Sequence, residues 1–175
     1  MKTITNLNAA YRGESNASHR YGFFAQKAAA EGYAQVARLF RAASRAEAIH
    51  RELHKAAILK LGGKPDEFAL DEVKPGTTRE NLAAAIRGES HERDVMYPEF
   101  IKQARAEGAQ PALRTMEYAL ASETEHARLY QEALDQLGKN PETPVYVCEV
   151  CGFTTTALPE KCPACASGKG KFIKF

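Results

Sequence analysis

The chain has 175 residues, a formal net charge of +2 and a hydrophobic fraction of 44%, room for one domain of ordinary size plus a small appendix. Charges this balanced, and mixed along the sequence, leave out the basic footprint of a nucleic-acid or membrane-surface binder. No run of about 18 apolar residues occurs, and the opening MKTITNLNAAYRGE lacks the apolar centre of a secretory leader; the expectation is a soluble, cytoplasmic protein with neither nucleic acid nor membrane as partner.

Residues 5–137 are Ala-rich with apolar residues at helical spacing, and breakers divide them into four helices. The first is expected from about Leu7 to Ala30, stopping at Glu31-Gly32. The second is expected from about Tyr33 to Leu61, closed by Gly62-Gly63. A long connection, GGKPDEFALDEVKPG, leads to a third helix. It starts near Thr77, which can form a capping box with Glu80, and ends at Glu107-Gly108. The fourth starts at Pro111, favoured in a first turn, and ends at Leu137-Gly138. GKNPETP reads as a linker, and PVYV and KFIKF as short strand-like pieces framing the cysteines. The expected division is a helical bundle over 1–140 and a small metal ribbon over 141–175.

The two halves of the helical region repeat. RGES occurs at 12–15 and at 87–90, an offset of 87 − 12 = 75. AEG at 30–32 and 106–108, Tyr21 and Tyr97, and Glu47-x-x-His50 and Glu123-x-x-His126 all match at an offset of 76. Two hairpins with one residue of slippage predict a four-helix bundle with an approximate internal two-fold axis, the long middle connection letting the second hairpin pack beside the first. Counting ~1.5 Å per residue back from each turn, Glu14 comes level with Glu47, and Glu89 with Glu123.

The inward set is therefore Glu14, Glu47, His50, Glu89, Glu92, Glu123 and His126. Five carboxylates facing one another in a dry core are costly through desolvation and repulsion, and most would be protonated without compensation. Two divalent cations nearly balance them. Oxygen ligands with one imidazole per metal suit iron or manganese better than a thiolate-seeking metal. His19, His91 and Glu125 are expected on solvated faces, and His54, one turn beyond His50, at a bundle end. Glu92 is in excess: its repeat equivalent is Ala17, so seven groups compete for about six places.

All four cysteines fall in the last 28 residues, as C-x2-C-x10-C-x2-C: Cys148, Cys151, Cys162 and Cys165. Two tight knuckles point to a tetrahedral four-thiolate metal site in a reducing compartment rather than to disulfides. Zinc would make a structural ribbon, and iron a one-electron carrier. Gly152 and Pro163 favour the rubredoxin type.

RGES, EAIH, RGESHERDVMYPEF, ETEH and the double knuckle together resemble the rubrerythrin family over essentially the whole chain. The resemblance implies a ferritin-like di-iron bundle, the general layout of one carboxylate from each of two helices and Glu-x-x-His from the other two, followed by a rubredoxin-like domain. It implies a non-haem peroxidase that reduces hydrogen peroxide to water with electrons from NAD(P)H, passed through a rubredoxin or a reductase and the four-cysteine iron. Glu14, Glu47, Glu89, Glu92, Glu123 and His126 would be the di-iron ligands, with His50 replacing Glu92 on reduction. Tyr21 and Tyr97 would hydrogen-bond ligand carboxylates, and Tyr97 could relay protons; with His50 these are the implied catalytic residues. A head-to-tail homodimer would bring the tail of one chain to the bundle site of the other. The competing function is ferritin-like iron oxidation or storage with a structural zinc ribbon. Ala166 stands where isolated rubredoxins have Gly.

Overall fold

The computed structural model describes residues 1–175. The repeated hairpins become α1 (Lys2–Ala30) with α2 (Ala34–Lys60), and α3 (Thr78–His91) and α4 (Tyr97–Ala106) with α5 (Gln110–Asp135). Helix α1 begins five residues earlier than its apolar pattern suggests, because its cap is tertiary: the Glu107 carboxylate accepts from the N–H groups of Lys2 and Thr3 at 3.1 and 3.0 Å. Thr77 and Glu80 form the expected capping box, and Pro111 sits in the first turn of α5. The connection 61–77 contains no helix or strand and runs along the bundle, held by Asn8 and Asn16, whose side chains accept from Asp66 N and Asp71 N.

The expected third helix is not continuous. A π-helical segment, Glu92–Met96, separates α3 from α4, and it accounts for the slippage in the repeat. Glu14 and Tyr21 are 21 − 14 = 7 residues apart, whereas Glu89 and Tyr97 are 97 − 89 = 8 apart. Seven residues make almost two whole turns, but eight would swing Tyr97 ~80° off the line of Glu89. One π-turn absorbs the extra residue, so that Glu89 and Tyr97 are both buried.

The bundle core has two parts. One is centred on Tyr21, Phe24, Phe40, Leu82 and Tyr130, the other on Leu7, Ile58, Tyr97, Ile101 and Met116. Many contact positions are Ala, which lets the helices approach closely around the layer of charged residues between the two clusters. No helix is long and apolar enough to cross a membrane.

After α5 the chain forms a three-stranded antiparallel sheet in the order β2-β1-β3, from β1 (Tyr146–Cys148), β2 (Thr154–Thr155) and β3 (Phe172–Lys174). The runs that form β1 and β3 were expected as strands; β2, two residues long, was not. The sheet packs against α2 and α5 of its own chain, with Arg38–Glu142 and Arg45–Glu149 ion pairs of 2.9 and 3.4 Å at the rim.

Candidate metal centres

Mid-bundle, two groups of ligand atoms form, each with its members within 4.8 Å of one another: Glu14, Glu47, His50 and Glu123, and Glu47, Glu89, Glu123 and His126. Every one of these side chains is at most 1% exposed. Glu47 and Glu123 belong to both groups. His50 and His126 present Nδ1 inward, 2.9 Å from Glu47 Oε2 and 3.0 Å from Glu123 Oε2 respectively, each bonding the Glu three residues before it in its own helix. The tyrosines close the set across the pseudo-two-fold axis: Tyr21 on α1 donates to Glu89 on α3, and Tyr97 on α4 donates to Glu14 on α1.

This layer is unstable as a set of bare charges. Burial, then Glu47 and Glu123, pushes the Glu14 carboxyl well above its ordinary range; burial, then Glu47 and Glu89, does the same to Glu123. Burial also pushes Glu47 upward, but the His126 and His50 contacts outweigh it and hold this carboxyl low. Burial alone would lower His126, yet Glu47 and Glu123 raise it well above the usual imidazole range. One oxygen of each of Glu14, Glu47, Glu89 and Glu123 is buried without a hydrogen bond. Unpartnered oxygens converging with two imidazole nitrogens fit two cations, with oxygen-rich donor sets of the kind iron takes.

Glu92 stands outside both groups. It is half-buried in the π segment, with Oε1 3.8 Å from where a Cβ on Gly13 would be. Burial, then Glu89, Glu123 and Glu47, raises its carboxyl well above the ordinary range; it therefore feels the site without joining it. His91 is exposed, Glu125 pairs with Arg128 at 2.7 Å, and His19 packs against the Phe23 ring, as expected of solvated faces.

His54 is not at a bundle end. It is fully buried, with Nε2 3.0 Å from the Tyr97 hydroxyl and Nδ1 3.1 Å from Thr115 Oγ1. Burial, then the neighbouring His50, lowers it to about 3, so it is neutral. Its i, i+4 relation to His50 was visible in the sequence. Thr115, which partners it, lies 61 residues away with no local signal.

The four cysteines also converge. Cys148, Cys151, Cys162 and Cys165 lie within 4.8 Å of one another, with Sγ–Sγ distances of 3.7 Å (Cys148–Cys165) and 3.6 Å (Cys151–Cys162). Each knuckle closes on a backbone bond, Gly152 N to Cys148 O and Ala166 N to Cys162 O, both 2.8 Å. Gly152 and Ala166 both have positive φ, 82° and 60°. Burial raises Cys162 to about 11, whereas at Cys165 burial is outweighed by Ser167, which lowers it to about 7. Four thiols this close fit a single tetrahedral metal.

The tail also lies against the bundle site of its own chain. A Cβ on Gly152 would lie 2.3 Å from His50 Nε2, and Thr154 Oγ1 is 2.8 Å from His126 Nε2. The first knuckle thus rests on the backs of both imidazoles.

This is the layout of a ferritin-like di-iron carboxylate bundle with a rubredoxin-like four-cysteine unit docked on it. The family model described as Rubrerythrin matches residues 5–134, and that of the rubrerythrin rubredoxin-like domain matches 146–173. Rubrerythrin-2 of Clostridium acetobutylicum is 38% identical over 99% of this chain and 96% of its own. Nigerythrin of Nitratidesulfovibrio vulgaris is 32% identical over 99% and 86%. A solved structure of nigerythrin in its fully reduced, all-ferrous state superposes with a TM-score of 0.87 at 34% identity, covering 99% of this chain and 86% of that one. A bacterioferritin of Mycobacterium tuberculosis, 24% identical with a TM-score of 0.71 over 79% of this chain and 87% of its own, shares the bundle fold. The chain belongs to the rubrerythrin family, di-iron oxidoreductases of peroxidase type that are implicated in oxidative stress and take electrons from rubredoxin-type donors.

Proposed function

We propose that this chain reduces hydrogen peroxide to water in the cytoplasm, with electrons drawn from NAD(P)H through a rubredoxin or reductase and then through its own four-cysteine site. The observation that carries the reading is the contact of the Cys151–Gly152 knuckle with His50, which joins the four-thiolate unit to the carboxylate layer within one chain. A structural ribbon would have no need to sit there, and a storage bundle no use for it. The head-to-tail homodimer implied by the family resemblance is not required by this geometry for electron delivery.

In this reading Glu14, Glu47, His50, Glu89, Glu123 and His126 would hold two irons, Glu47 and Glu123 being shared by the two ligand groups. Cys148, Cys151, Cys162 and Cys165 hold the single iron, and the chain divides at about residue 140. When bound, an iron pair would supply the two electrons that peroxide takes, and a four-thiolate iron the one-electron chemistry that restores them. Breaking the O–O bond with two electrons and two protons gives two waters, with no one-electron radical released. Tyr97 and Tyr21 orient Glu14 and Glu89 through their hydroxyls, and the sealed, Ala-lined core keeps bulk water from the layer.

His50 and Glu92 are proposed as alternatives at one position. His50 is inside the first ligand group and Glu92 outside it, the arrangement suited to a reduced pair, where a neutral imidazole is the better match; the more highly charged oxidised pair favours the hard carboxylate. Glu92 lies in the π segment, where the regular backbone bonding of the α-helix is interrupted. His50→Ala is expected to keep two irons when oxidised but to react with peroxide about 100-fold more slowly as the reduced protein. Crystal structures of the oxidised and chemically reduced protein check the exchange: His50 away from iron, and Glu92 on it, in both would refute it.

A further inference from the structure

We propose that Thr115, His54 and Tyr97 form a proton path from the protein surface to the Glu14 side of the bundle site, a role that rests on the peroxide-reduction reading. Each turnover consumes two protons, and the residues of the two ligand groups are at most 1% exposed, so protons need a route through the protein.

The three side chains make an unbroken chain of hydrogen bonds with one sense. Tyr97 donates to Glu14 Oε1, so its oxygen is free to accept from His54 Nε2–H, 3.0 Å away. Nδ1 of the same neutral ring then accepts from the Thr115 hydroxyl at 3.1 Å. Thr115, at the outer end, lines a surface pocket open to solvent, whose walls include Lys60, Gln110, Arg114 and Tyr118 beside apolar Leu53 and Pro111. One inward shift moves the Tyr97 proton to Glu14 Oε1, the Nε2 proton to the Tyr97 oxygen and the Thr115 proton to Nδ1. A proton from bulk solvent, handed on through the pocket, restores the Thr115 hydroxyl. One proton has entered and one has arrived; the imidazole has exchanged tautomer and stayed neutral, no electrons move, and a ring flip with rotation of the two hydroxyls resets the chain for the second proton.

The internal repeat supplies a comparison within the molecule. The repeat equivalents of Tyr97, His54 and Thr115, at 97 − 76, 54 + 76 and 115 − 76, are Tyr21, Tyr130 and Leu39. Tyr21 makes the same contact with a carboxylate, Glu89. Its ring packs against those of Phe24, Phe40 and Tyr130, with the Arg20 guanidinium 5.6 Å from its centroid, and its hydroxyl has no hydrogen-bond partner beyond Glu89. The Tyr130 hydroxyl has no partner, and Leu39 offers no polar atom. Packing alone is thus achieved in one half with apolar and aromatic groups, and in the other half the same positions carry a connected polar chain that reaches the surface.

Thr115→Val keeps the side-chain shape and removes the outer hydroxyl without touching Tyr97 or Glu14. In the full-length zinc-loaded protein, exchange of the His54 Nε2–H proton with deuterium, followed by NMR, is expected to slow about tenfold or more in Thr115→Val and to recover in Thr115→Ser. In the iron-loaded, chemically reduced protein, peroxide consumption and proton uptake seen by a pH-sensitive dye should fall together by a similar factor, with metal content unchanged. Exchange in Thr115→Val as fast as in the wild type overturns the path, whatever the peroxide result. A wild-type protein that consumes no peroxide overturns the functional reading instead, and the exchange rates still decide the path.

Discussion

Glu47→Ala and Glu123→Ala are each expected to strip both metals from the bundle and leave the metal of the four-cysteine site in place. These two carboxylates belong to both ligand groups, so either loss opens both. Glu14→Ala and Glu89→Ala each touch one group only, and should empty one position while the other keeps most of its affinity. The effect on the fold is also large. A ligand present at about a thousand times its Kd adds ~4 kcal/mol of stability, which the bridging variants forfeit, although losing one buried carboxylate relieves some repulsion in the metal-free layer. Metal analysis of the purified variants, with thermal unfolding of each, separates the two patterns. Equal metal loss in all four variants would mean that Glu47 and Glu123 do not bridge.

Cys162→Ser should abolish turnover driven by NAD(P)H and its electron carriers. Cys162 is 2% exposed, with Sγ 3.6 Å from Cys151 Sγ. A hard hydroxyl there replaces one of four thiolates that a soft-ligand site requires. The chemically reduced bundle, whose seven candidate groups are untouched, should still consume one equivalent of peroxide per iron pair. Steady-state assay with the physiological donor and single-turnover assay after chemical reduction give the two numbers. Normal steady-state turnover in Cys162→Ser would confine the tail to a structural role.

The parts legible in the sequence are those with local or repeated signals. Gly and Pro punctuation placed the helices to within a few residues, apart from the start of α1, whose cap comes from Glu107. The repeat put Glu14, Glu47, Glu89 and Glu123 in one layer before any distance was known, and the knuckle spacing brought the cysteines together. The one-residue slippage was also visible, but its outcome was not. An extra residue can be absorbed by a π-turn, a kink or a loop, and only packing around Tyr97 decides among them. His54 was misplaced because a lone histidine one turn beyond a ligand carries no sign of its partner, and Thr115 reaches it from another helix. Gly152 was read as a knuckle glycine, and its positive φ agrees. Its second constraint, the approach to His50 Nε2, depends on how the tail docks, which no spacing within the tail encodes.

The most direct measurement is anaerobic rapid mixing of the iron-loaded, fully reduced chain with hydrogen peroxide in one experiment and with dioxygen in another. Peroxide is expected to oxidise the bundle irons much the faster, with one peroxide consumed per iron pair, water as the product and no iron released. Faster oxidation by dioxygen, with continued oxidation of added ferrous iron into a ferric deposit, would contradict peroxide reduction and point to ferritin-like iron handling.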